Sequence, residues 1–116
     1  MTKRLPKHLH DALTASRRAS EFLGELDADA YGGNVLVRSA VERQLEILGE
    51  ASKRVLDEAP ELRDRAPELV LAIGLRNRLI HGYDRVVDSV VVATVQRDLP
   101  RLQAWLEAEL ARFPLP

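Results

Sequence analysis

The residues with the most chemical potential lie in one run, Leu75-Arg76-Asn77-Arg78-Leu79-Ile80-His81-Gly82-Tyr83. An apolar helical pattern meets two guanidinium groups, an imidazole, a glycine and a phenol, in the order Arg-x-x-x-x-His-x-Tyr. His81 is the only histidine outside the amino-terminal segment. A histidine so placed can take or deliver a proton, and an arginine can stabilise negative charge on phosphate oxygens. One reaction such a group could perform is cleavage of an RNA strand by its own 2′-hydroxyl, and that mechanism requires no metal. Arg and His near the end of a helix also suit a plain solvated cap that meets the last carbonyls, and spacing alone leaves both readings open.

Helix geometry constrains how these side chains cooperate. Arg76 and His81 are five residues apart, which turns them about 140° from each other on an ideal helix. Either the helix distorts before Gly82, or the Arg and His that work together come from two chains across a symmetric interface, the arrangement favoured here. Asn77 stands one turn before His81, placed to steady the imidazole or a bound phosphate. A helix carboxyl end favours a protonated His81, while Arg76 and Arg78 oppose it.

The elements that position this run are helical. Apolar residues at Leu9, Leu13, Ala19, Phe22, Leu23 and Leu26 predict a first helix over Pro6–Leu26, with Pro6 in its first turn. Asp27–Asn34, with Gly32-Gly33, reads as a connection. A second helix runs from about Val35 to Ala59 on the stripe Val37, Val41, Leu45, Leu48, Ser52, Val55 and Leu56, and Pro60 ends it. Glu61–Pro67 reads as a loop or a single helical turn. The third helix, Pro67–His81, carries Leu69, Val70, Ala72, Ile73, Leu79 and Ile80, with Gly82 as its left-handed closing residue. After a connection over Tyr83–Val87, Asp88 is the expected N-cap of a fourth helix. The β-branched Val90-Val91-Val92 suggests a strand, but Val91, Val95, Leu99, Leu102, Leu106, Leu110 and Phe113 keep helical spacing far beyond a strand's length. Pro100 should kink this helix at a cost of about 3 kcal/mol. The fold class predicted is all-α, an antiparallel up-and-down bundle of four main helices with room for one extra short helix, and residues 1–116 form one domain.

Composition agrees with a bundle and narrows the chemistry. The chain is 46% apolar with five aromatics, so Leu, Val, Ile and Ala do the packing. The absence of cysteine removes disulfides, thiol nucleophiles and Cys-ligated zinc. No apolar run approaches a membrane span and the amino terminus has no signal-peptide core, which leads us to expect a cytoplasmic protein without membrane partners. Seventeen basic residues face eighteen acidic ones, so RNA binding must come from a local patch rather than a global field. Fourteen of the seventeen are arginine, whose planar fork suits phosphate.

Two further features bear on the site. Glu42, Glu46, Gly49 and Lys53 fall along one stripe of the second helix, which reads either as a solvated face or as a covered one. A mid-helix glycine costs about 1 kcal/mol against alanine and is tolerated where another backbone approaches closely. A covered Glu46 would need a cation, and Arg76 is the candidate. His8 and His10 have neither ligand spacing nor supporting carboxylates, and both read as surface residues.

Together these motifs carry a resemblance. Arg76-Asn77-x-x-x-His81-x-Tyr83, preceded by Gln44-Leu45-Glu46-Ile47-Leu48-Gly49-Glu50-Ala51 and followed by Arg97-Asp98-Leu99-Pro100-x-Leu102, resembles the HepT-like branch of the HEPN superfamily from the second helix onward. The resemblance implies an all-α homodimer in which the Arg and His motifs of both subunits meet in a cleft. It implies a metal-independent endoribonuclease without a cofactor, the toxin of a type VII-like toxin–antitoxin pair. Its antitoxin partner would be an MntA-like minimal nucleotidyltransferase that transfers AMP to the motif tyrosine. On this resemblance Arg76 and His81 are catalytic, Asn77 supports them with Arg78 and Glu46 nearby, and Tyr83 is the modified residue. The alternative function is a non-catalytic HEPN scaffold for a nucleotidyltransferase.

Overall fold

The computed structural model describes residues 4–81 and 87–113, and among them every regular element is a helix. They are α1 (Leu5–Leu23), α2 (Ala28–Gly32), α3 (Val35–Glu58), α4 (Leu62–Arg65), α5 (Pro67–His81), α6 (Asp88–Ala93), a π-helical turn (Thr94–Asp98) and α7 (Leu99–Leu110). Four long helical units, α1, α3, α5 and the α6–α7 run, form the antiparallel up-and-down bundle that the apolar periodicity predicts.

The stripes named from sequence make most of the core, with the exception of Phe22, which is expected on the α1 stripe but is 42% exposed. Leu9, Leu13, Ala19 and Leu23 of α1 meet Val41, Leu45, Leu48, Ser52, Val55 and Leu56 of α3, and Val91, Val95, Leu99, Leu102 and Leu106 close over them. The most extensive helix pairs are α1 with α3, then α3 with α5, then α1 with α7, whereas α5 barely touches α7. Among the described residues the bundle is therefore closed on three sides and least closed along the fourth, between α5 and α7. α5 accordingly buries only Leu69 and Ala72 fully and leaves Leu71 and Ile80 exposed.

Short segments read as connections have structure of their own. Asp27 accepts a hydrogen bond from the Ala30 amide at 2.9 Å and so caps α2, and Asn34 caps α3 through the Val37 amide at 3.0 Å. Asp88 departs from expectation. Val87 occupies the N-cap position without a side-chain cap, and Asp88 is the first residue of α6. Its carboxylate instead faces α2 and α3: Oδ1 lies 4.0 Å from Arg38 Nε, and Oδ2 approaches Gly32 so closely that a Cβ there would be 2.5 Å away.

Pro100 also behaves differently from a simple kink. The amide of Leu99 donates to the carbonyl of Thr94, five residues back, so the helix widens into a π turn just before the proline. α7 then restarts with Pro100 in its first turn, where a missing N–H leaves no intrahelical bond unmade. The penalty expected of an interior proline is thereby avoided.

His8 corrects the reading of both amino-terminal histidines as surface residues. It is buried, with Nε2 3.6 Å from Glu58 Oε1. Leu5 and Ala12 stand one turn away on the same buried face of α1, so the imidazole fills core space and keeps its polar tip toward a carboxylate. His10 is exposed, as expected.

Candidate functional site

The site begins at a close crossing of α3 and α5. Gly49 is buried, and a Cβ placed on it would stand 2.8 Å from the Ala72 carbonyl oxygen and 2.8 Å from Arg76 Cγ, with Arg76 Cβ closer still. The glycine is there because the stem of Arg76 occupies the volume a side chain would need. The stripe is thus covered at Gly49, while Lys53 on the same stripe is exposed.

From that crossing the Arg76 side chain is held in a defined pose. Its Nη2 lies 3.2 Å from Glu50 Oε2, and its Nη1 donates to Asn77 Oδ1 at 3.1 Å. Its Nε is buried without a hydrogen-bond partner among the described residues, and the side chain as a whole is one quarter exposed. Glu50 Oε1 in turn receives Arg54 Nη2 at 3.5 Å. The result is a relay, Arg54 to Glu50 to Arg76 to Asn77, that fixes a guanidinium with part of its fork still open to solvent.

The cation expected beside Glu46 goes elsewhere. Glu46 pairs within α3, with Arg43 at 3.3 Å, and Arg76 pairs with Glu50. The reason is side-chain direction. Helical side chains lean toward their own amino terminus, and α5 runs antiparallel to α3, so Arg76 reaches toward the carboxyl end of α3 and meets Glu50 rather than Glu46. Glu50 is the residue that stripe reasoning missed, and this lean is the signal that could have found it.

The remaining residues distribute around α5. The helix is continuous through His81, so the angular offset of Arg76 from His81 stands, with His81 exposed as its last residue. Asn77 is brought to Arg76. Arg78 points the other way and lines a groove with Leu71, Gly74, Leu75, Val90 and Thr94 along the open side of the bundle. Gly82, Tyr83 and Arg85 lie outside the described residues.

The other tyrosine is Tyr31, which is 0% exposed. Burial, together with the Glu42 carboxylate and opposed in part by Arg38, pushes its pKa up to about 12. Its hydroxyl has no hydrogen-bond partner among the described residues. Among those residues no group of three or more His, Asp and Glu has metal-binding placement, and no helix is long and apolar enough to cross a membrane.

Fold and site together define a class: helical bundles that carry an Arg-x-x-x-x-His motif on the third long helix, with the arginine clamped against the second. The chain belongs to the Ribonuclease HepT-like family, whose model matches residues 12–109. It is 33% identical over 108 residues to the "Putative RNase MJ1380" of Methanocaldococcus jannaschii, covering 92% of this chain and 98% of that protein. It is also 33% identical over 100 residues to the "Probable ribonuclease HepT" of Thermococcus cleftensis, covering 86% and 90%. A third relative, the "Putative RNase TTE0752" of Caldanaerobacter subterraneus, is 38% identical over 78 residues, covering 67% and 68%. No solved structure matches the chain at a significant level.

Proposed function

We propose that this protein is a metal-independent endoribonuclease that works as a homodimer, with Arg76 of one subunit and His81 of the other completing each site. The observation that carries the reading is the clamped pose of Arg76: a guanidinium fixed by Glu50 and Asn77, yet partly open, suits an anion that arrives from solution. A pure scaffold has no use for such an arginine. In the reaction the RNA 2′-oxygen attacks phosphorus and the bond to the 5′-oxygen breaks. His81 takes or delivers a proton, and Arg76 meets the charge that builds on the non-bridging oxygens. Asn77 holds the Arg76 fork, and Arg78, on the neighbouring groove, adds positive charge.

The open side of the bundle supports the dimer. Leu71 and Val90, which line the groove along that side, are each about half exposed, an apolar surface that a second copy would cover. Control by an MntA-like nucleotidyltransferase, adding AMP to Tyr83, completes the reading as a toxin. Such an adduct would set an anion among the arginines that otherwise receive substrate phosphate. Tyr31 has no exposed surface from which to compete for modification.

Mixing two inactive variants tests the two-chain site. Arg76→Ala and His81→Ala should each abolish RNA cleavage, in EDTA as in buffer, with helical circular dichroism retained. Exchanged together, they form heterodimers with one intact site, and about a quarter of wild-type activity should return. No recovery, with exchange verified, would place the site within one chain. Restoration by magnesium of activity lost to EDTA would overturn the metal-free mechanism. Co-expression with the cognate nucleotidyltransferase should put the adduct on the peptide containing Tyr83, and Tyr83→Phe should escape neutralisation.

A further inference from the structure

A second cleft opens between α1 and α3, lined by His10, Asp11, Thr14, Arg18, Gln44, Glu50 and Arg54 among others, with a volume of about 290 Å³. It adjoins the candidate site directly, because Glu50 forms part of its wall and is also the carboxylate that holds Arg76.

Charge accounting gives the cleft its character. It contains two acidic residues, and each already has a cation from outside the lining: Asp11 binds Lys7 at 2.8 Å, and Glu50 binds Arg76 at 3.2 Å. Arg18 makes no ion pair among the described residues, and Arg54 has only the 3.5 Å contact with the oxygen of Glu50 that Arg76 does not use. Two guanidinium groups are thus left with little or no compensation, in a chain whose formal net charge is −1. His10 adds a third group that can carry positive charge. Local positive charge in a concave, partly apolar wall attracts a polyanion more than the same residues dispersed on a convex surface would.

We propose that this cleft is a flanking subsite for the RNA strand, in which Arg18 and Arg54 bind the phosphodiester next to the one that Arg76 receives. The inference rests on the ribonuclease reading above and adds the path of the substrate. Arg76 and Arg54 stand on opposite oxygens of one carboxylate, so a strand that places one phosphate on Arg76 passes Glu50 and reaches Arg54 next. Arg18, across the cleft on α1, contacts the same strand from the other wall. Contacts of this kind read the backbone and not the bases, so the subsite extends the footprint without imposing a sequence.

Binding to a non-cleavable strand tests the subsite apart from catalysis. The probe is a fluorescent 2′-O-methyl oligoribonucleotide, titrated with wild type, Arg18→Gln, Arg54→Gln and the double variant at several sodium chloride concentrations. Both arginines are exposed, and circular dichroism verifies the fold. Each single change should weaken binding by about two- to fivefold at low salt. The double variant should also make the slope of log K against log salt less steep by about 0.7, the share of the one phosphate that the two arginines contact on a single strand, and each single change by no more than that. Wild type that binds while the double variant matches it in affinity and slope would overturn the subsite and leave the ribonuclease reading standing. Wild type that does not bind the strand at all would overturn that reading, and the subsite with it.

Discussion

Replacing Gly49 by alanine sets two opposing effects against each other at the crossing that holds Arg76. Alanine in place of glycine inside a helix should by itself stabilise by about 0.5–1 kcal/mol. At this position the new methyl would sit 2.8 Å from the Ala72 carbonyl oxygen and 2.8 Å from Arg76 Cγ, where ordinary contact starts at 3.4 Å. The shortfall of 0.6 Å is against backbone on one side and the root of a side chain on the other, so rotamer change cannot relieve it and α5 must move. Overpacking of a close-packed interface costs about 1–3 kcal/mol. The net expectation is a loss of about 1–2 kcal/mol, or roughly 4–8 °C in a thermal melt for a domain near this size. Catalysis should suffer more than stability, because a displacement approaching 1 Å at a positioned group costs on the order of 100-fold. Urea denaturation followed by circular dichroism, together with cleavage of a model RNA, measures both. A Gly49→Ala protein that is more stable than wild type and cleaves normally would refute the claim that the arginine stem needs this glycine.

Glu50 should prove a positioning residue for Arg76. Glu50→Ala should lower kcat by about 10- to 100-fold with KM little changed, and Glu50→Gln, which keeps an acceptor, should recover much of the loss. Side-chain ¹⁵N spectra should show the Arg76 guanidinium losing restricted rotation in the alanine variant, and an unchanged signal would contradict the relay. Tyr31 supplies a pH test. Its folded pKa of about 12 lies above the ordinary value of 10, so its contribution to stability is complete below pH 10 and is lost as pH rises toward 12. That loss amounts to at most roughly 3 kcal/mol. Tyr31→Phe should flatten the alkaline melt profile. At neutral pH it should cost nothing or stabilise slightly, because the hydroxyl it removes makes no hydrogen bond among the described residues.

What the sequence disclosed and what it concealed follow one physical line. Periodicity reports which face of a helix is buried, and so the core stripes of α1 and α3 and the helical nature of the valine-rich segment were legible. Periodicity is blind to backbone exchanges that keep the same residues inside. The π turn at Thr94–Asp98 shifts the hydrogen-bond register without moving Val95 or Leu99 out of the core, and so Pro100 looked like a kink. His8 was hidden because a polar residue type masked a buried position. Gly49 advertised the close approach to α5, but the partner of Arg76 depends on the antiparallel direction of two helices, which a single stripe does not encode.

The open side of the bundle ties the fold to the two-chain reading. A helix such as α5, flanked by α3 but scarcely by α7, exposes apolar side chains that neither solvent nor its own chain satisfies. The face it turns to α3 carries Arg76, and the helix ends in an exposed His81 on a different bearing. A second copy laid along the unsealed side would cover Leu71 and Val90, which line the groove there with Arg78, and a two-fold axis near the carboxyl end of α5 is what the proposed pairing of one chain's His81 with the other's Arg76 requires. The 140° offset between the two residues and the unburied surface are independent features, one set by helical pitch and the other by packing. A second copy would answer both, by covering the apolar surface and by offering each Arg76 a His81 that its own chain holds on a different bearing, and the proposed paired site draws on those two features.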